Sequence, residues 1–179
     1  VADVVHSLGH STRTGGELLA LLAAAGVRRV ADVRRFPGSR RHPQFVGPAL
    51  ARSLGEAGIE WLWLGETLGG RVPETVPPEA SPNGAWTEPA FRRYADWMAT
   101  PAFAAGLARL EAAAREAPTA ILCAERPWWR CHRRLLADAL VVRGWRVLHG
   151  MEPGEAPRPH ALSEWARLEG GRLVYPALV

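Results

Sequence analysis

The stretch that decides the fold is TAILCAERPWWRCHRR, Thr119 to Arg134, where an apolar run breaks into a cluster of reactive and charged side chains. Thr119 to Leu122 is apolar and ends at Cys123, and Cys131 onward reads as a helix. The segment is therefore a strand, a tight connection and a helix start. Open α/β sheets are built from such units and bind ligands at the carboxyl ends of their strands. Cys123, Glu125, Arg126, Arg130, Cys131, His132 and Arg133 fall on that end, and both cysteines of the chain are among them.

The same pattern repeats outward from this segment. Val4 to Leu8 reads as a strand, followed by the loop Gly9-His10-Ser11-Thr12, a helix from about Gly16 to Ala25 capped by Thr14, and a stop at Gly26. Val27 to Val33 is a second strand that runs into an arginine-dense loop, Arg34 to Pro43. Pro48 suits the opening of a helix that continues to Gly58, and Ile59 to Leu64 gives a third strand with Trp61 and Trp63 on one face. Gly65 to Gly84 is irregular and is either a surface excursion or a lid. Helical spacing returns from Glu88 to about Arg115, where Pro101 divides or kinks it. After the helix that follows Cys131, Trp145 to Leu148 is the fifth strand. A short helical piece around Leu162 to Leu168 and an edge strand at Leu173 to Tyr175 are expected beyond it.

This alternation predicts a single α/β domain over residues 1–179, with a mostly parallel sheet of about five strands and helices on both faces. The motif-bearing core spans about 4–150, and 151–179 is a C-terminal extension. In such a sheet Gly9 to Thr12, Asp32 to Arg41, Gly65 to Arg71, Cys123 to Arg133 and His149 share one rim.

Composition narrows the chemistry. The chain has a net charge of +4, a pI near 10.0 and 47% hydrophobic residues, which describes a globular protein compatible with anionic ligands. All 22 cationic side chains are arginine. Without lysine there is no Schiff base, no pyridoxal-phosphate attachment and no P-loop lysine, whereas arginine suits bidentate capture of phosphate or carboxylate. Two cysteines do not make a disulfide framework, and no leader or membrane-length apolar run is present, so a reducing, cytoplasmic setting and no membrane partner are expected.

The order GHST, VADVRRFPGS with nearby Arg41, His42 and Phe45, LGETLGG, and CAERPWWRCHR resembles the domain of unknown function 488 family from about His6 to His149. The resemblance implies one α/β domain and points to these segments as the site, but it supplies no reaction.

Among the rim residues, Glu125 is a carboxylate set among arginines and suits a base or an electrostatic anchor. His132 and His10 are further proton-handling candidates, and Cys123 is a nucleophile or a wall. Arg34, Arg41, Arg130 and Arg133 would hold an anion with Ser11 and the helix start at Cys131. Asp32 either pairs with Arg34 or joins the binding set. Of eight tryptophans, Trp128 and Trp129 are the candidates for stacking on bases, while Trp61, Trp63, Trp97 and Trp145 belong to packing. His10, Cys123, Cys131, His132 and His149 could ligate zinc. Yet no C-x-x-C or H-x-x-x-H pair occurs and adjacent Cys131 and His132 should diverge from a helix, so no metal and no cofactor is assigned.

The expected function is a hydrolase or transferase acting on a phosphate-bearing substrate, a nucleotide or nucleic acid. The alternatives are a non-catalytic nucleic-acid-binding module and a rhodanese-like sulfur carrier. Against the phosphatase C-x5-R pattern, the sixth residue after Cys123 is Trp129, and Arg130 comes one later.

Overall fold

The computed structural model describes residues 3–178. Five apolar runs form parallel strands: β1 (Val4–Gly9), β2 (Arg29–Asp32), β3 (Glu60–Trp63), β4 (Thr119–Cys123) and β5 (Arg146–His149). A short sixth strand, β6 (Arg158–Pro159), lies antiparallel along β5, so the order is β3-β2-β4-β1-β5-β6. Every residue of β4 is buried because it has a strand on each side and helices above and below. Its register pairs Gly9 with Cys123 and Asp32 with Leu122, which lines up the strand ends on a single rim.

Alternation along β4 feeds two cores. Ala120 and Leu122 pack with Leu18 and Leu22 of α1 (Gly15–Ala24) and Leu50 and Leu54 of α2 (Gly47–Glu56). On the other face, Ile121 and Cys123 join a larger core supplied by four helices. These are α3 (Gly65–Leu68), α4 (Pro89–Trp97), α5 (Pro101–Glu116) and α6 (Arg133–Val142). Thr14 caps α1 in a capping box with Glu17. Pro101 separates two helices rather than kinking one, because the Thr100 hydroxyl accepts from the Phe103 amide and starts α5 afresh.

The C-terminal segment differs from its sequence reading. No helix forms around Leu162 to Leu168. The backbone turns there, with the Ser163 amide donating to Asp138 Oδ1 at 3.0 Å. It then enters a hairpin of β7 (Arg167–Glu169) and β8 (Arg172–Val174). Gly170 and Gly171, at φ +56° and +78°, supply the two left-handed positions that such a two-residue turn demands. Leu173 and Val174 therefore pair with β7, and the edge of the main sheet goes to β6, a strand too short to show in the sequence pattern. Residues 65–84 begin with α3, which packs on α5, and end at Asn83, buried against Asp96 and the Tyr175 amide. Trp63 is 38% exposed because β3 is an edge strand.

The extension is fastened by Asp138 of α6, which is fully buried and accepts from Tyr175 Oη at 2.9 Å, His160 Nε2 at 2.8 Å and the Ser163 amide. Removing the carboxylate would strand three buried donors. Asp138→Ala should lower the unfolding free energy by on the order of 3–5 kcal/mol. Urea denaturation measures the loss, and limited proteolysis should show earlier cleavage within 151–178.

Candidate functional site

The rim is shaped by one close approach. A Cβ on Gly9 would lie 1.9 Å from the Glu125 carbonyl oxygen, so only glycine lets the Glu125-Arg126 backbone cross the end of β1. Beyond the strands the pairing continues, His10 N to Cys123 O at 2.9 Å and Ser11 N to Ala124 O at 2.8 Å. The GHST and CAER segments are thereby held side by side.

Between these segments, the Arg34–His42 loop and Gly70-Arg71 lies a cleft of about 570 Å³. Cys123, Cys131 and His132 line it, and their ligand atoms lie within 4.8 Å of one another. Cys131 Sγ is 3.6 Å from His132 Nδ1, and the other ring nitrogen, Nε2, is 3.1 Å from the Val33 carbonyl oxygen. The expectation that Cys131 and His132 diverge is corrected by the structure. Both residues precede the first residue of α6, and Cys131 is extended (φ −122°, ψ 151°), which turns the two side chains to the same point.

His10, Ser11, Arg34, Glu125 and Arg130 also line the cleft, whereas Asp32, Arg41, Trp128 and Arg133 do not. Asp32 is fully buried and holds Arg34 in a fork, Oδ1 to Nε at 2.9 Å and Oδ2 to Nη2 at 2.6 Å, while Arg34 Nη1 donates to the Phe45 carbonyl at 2.7 Å. Arg41 projects into solvent from its loop. The Trp128 ring is stacked on His149, with centroids 4.2 Å apart and an angle of 6°, so that face is already covered. Arg133 is 1% exposed and donates to Cys131 Sγ (3.4 Å), Ser7 Oγ (2.9 Å) and the Glu125 carbonyl.

Arg35 and Arg71 lie in segments assigned to the rim and His42 in the motif that carries the resemblance, all without a role, whereas Glu88 and Tyr94 were missed; all five complete the walls. Arg71 carried one signal, its place directly after two glycines. It and Ser11 are the non-glycine residues with positive φ among the described residues, at 54° and 47°, and both line the cleft. Such backbone costs of order 1–3 kcal/mol and gathers at functional sites. Arg71 and Arg130 make no side-chain hydrogen bond among the described residues and are exposed.

The electrostatics of the floor are polarised. Burial opposes ionisation of Cys131, but Cys123, His132 and Arg133 outweigh it and carry the thiol well below its ordinary value. The neighbouring Cys131 sulfur, then burial, push the Cys123 thiol up. The two thiols are thus pushed in opposite directions. Burial lowers His10 to about 4; its Nδ1 is 3.0 Å from the Ser11 carbonyl oxygen and its Nε2 is 3.3 Å from Arg34 Nη1, a pairing that the neutral ring satisfies. Burial, then His160 and Arg133, lower His149 to about 3.

The molecule is thus an α/β domain with a cationic cleft over a Cys-Cys-His floor at the carboxyl ends of its parallel strands. The chain belongs to the family described as "Domain of unknown function DUF488", whose model matches residues 16–140. No curated protein and no solved structure matches it significantly.

The neutral His10 ring makes stability depend on pH. The unfolded chain binds this proton below about 6.5 and the folded chain only below about 4, so stability falls as pH drops through that window. The groups facing the ring are Arg34, Asp32, His42 and the Phe45 ring, and Arg34 is the cation that protonation would oppose. His10→Gln should remove about 3 kcal/mol of the acid-side slope between these limits, read by urea unfolding at a series of pH values. Ser11→Gly, which relieves the left-handed backbone, should stabilise the fold by roughly 0.5–1 kcal/mol in the same assay.

Proposed function

We propose that the protein is an enzyme acting on a phosphate-bearing substrate, a nucleotide or nucleic acid, in the rim cleft. The observation that carries the reading is the pair of uncommitted guanidinium groups, Arg71 and Arg130, on the walls above the Cys-His floor. A planar cation with free donors is matched to phosphate oxygens. Arg34, by contrast, is committed to Asp32 and shapes the wall without holding the anion. Phe36, 68% exposed on the same cleft, offers an apolar face to a base. A bare phosphate would leave that face unused, which favours a nucleotide.

Glu125 is exposed on the cleft and takes the proton-handling role, and the Cys-His floor supplies the reactive centre. Arg133 acts from beneath, holding Cys131 and the Glu125 backbone, and is a positioning residue. Binding without turnover is disfavoured by the walls: two non-glycine residues with left-handed backbone on one cleft are costly to maintain for holding a phosphate alone.

Arg71→Ala and Arg130→Ala should each weaken nucleotide or oligonucleotide binding by roughly 10-fold and flatten its salt dependence, read by titration calorimetry at several ionic strengths. Glu125→Gln should reduce turnover of a nucleotide or oligonucleotide panel by about 100-fold or more with binding retained. Full turnover in Glu125→Gln and unchanged binding in both arginine variants would end the proposal.

A further inference from the structure

We propose that Cys123, Cys131 and His132 form a three-ligand site for a zinc-class divalent cation whose fourth position opens onto the cleft. The inference names the metal chemistry of the floor and, for its role in turnover, rests on the function proposed above.

The donor geometry suits such an ion. Tetrahedral zinc with bonds of about 2.3 Å to sulfur and 2.0–2.1 Å to nitrogen sets adjacent S and N ligands about 3.6 Å apart and two sulfurs about 3.8 Å apart. Cys131 Sγ and His132 Nδ1 are 3.6 Å apart, and all three ligand atoms fall within 4.8 Å. Two thiolates and an imidazole are a soft donor set that selects zinc over magnesium or calcium, which require oxygen.

Outer partners are already arranged as a metal site needs them. Donation from His132 Nε2–H to the Val33 carbonyl, over 3.1 Å, leaves the Nδ1 lone pair facing the sulfurs. Arg133 Nε donates to Cys131 Sγ, the kind of hydrogen bond that supports a coordinated thiolate.

Gly70 adds an independent observation. A Cβ there would lie 3.0 Å from His132 Nδ1 and 3.3 Å from its Cγ, yet the residue is not in the left-handed region. Its backbone does not call for glycine, and what glycine preserves is the close approach of the chain to the imidazole face at the ligating nitrogen. Three protein ligands and one open position characterise catalytic rather than structural zinc. In this cleft the ion would act as a Lewis acid toward a phosphoryl oxygen or a bound water, with Glu125 on the same cleft wall.

The test uses the reduced full chain titrated with Zn²⁺ and with Co²⁺ as spectroscopic probe. One ion should bind per chain, with a sulfur-to-cobalt charge-transfer band and the intense visible bands of four-coordinate cobalt. Cys131→Ser and His132→Ala should weaken Zn²⁺ binding at least ~10–100-fold, and Gly70→Ala, which retains all three donors, should weaken it by about 10-fold. Should a ligand variant fail to fold, thiol alkylation of the wild type decides instead: Zn²⁺ should slow modification of both cysteines and a chelator should restore it. Absence of the charge-transfer band, equal Zn²⁺ affinity in Cys131→Ser, or alkylation rates indifferent to Zn²⁺ would overturn the site. Arg130→Ala separates the two readings, because it should keep the cobalt spectrum while losing nucleotide affinity. A normal cobalt spectrum in a wild-type protein that binds no nucleotide would sink the substrate reading and leave the metal site standing.

Discussion

The buried guanidinium of Arg133 is the interaction on which the rim depends. At 1% exposure it has lost its water, a cost of several kcal/mol for an ion in a protein interior. Its hydrogen bonds reach Ser7 on β1, the Glu125 and Arg126 carbonyls and Cys131 Sγ, with no carboxylate among them. The one partner able to carry negative charge is the Cys131 sulfur. Arg133 favours the ionised form of Cys131, so a thiolate there and the buried arginine would stabilise each other. The carbonyls come within reach because Gly9 allows the 125–126 backbone to cross β1.

A second buried polar chain meets the first across β1. Asp138 holds His160, and His160 Nδ1 is 3.0 Å from His149 Nε2. His149 pairs in register with Ser7, the residue that Arg133 also contacts. A second cation so close to Arg133 is unfavourable, and the depressed pKa of His149, caused by burial, His160 and Arg133 in that order, keeps the ring neutral. The C-terminal segment, which supplies His160 and Tyr175, is in this way a support for the rim's back wall.

The sheet was legible because its five parallel strands are apolar runs bounded by glycine, proline or caps, and both cores follow from alternation in β4. The C-terminal hairpin was not, since Leu162 to Leu168 carries helical spacing that the long-range Asp138 contact overrides. Sequence reasoning brought the right segments to the rim but treated arginines alike. Arg133 and Arg34 are consumed by burial and an ion pair, whereas Arg71, from a segment read as an excursion or a lid, stands free. Nothing local distinguishes a committed guanidinium from an uncommitted one, because the difference lies in partners distant along the chain. Adjacent Cys131 and His132 were set aside by an argument that holds inside a helix and fails one residue before it.

Charge balance links the floor to the walls. With one proton between the two cysteines, the floor would set one thiolate against one buried arginine and be close to neutral. A divalent ion would displace that proton, making both sulfurs thiolates, and together with Arg133 would leave the floor net positive. A cleft so floored, with Arg71 and Arg130 above it, attracts an anion from below as well as from the sides. Metal and anion would then bind cooperatively through charge, each favouring the other without any movement of the fold.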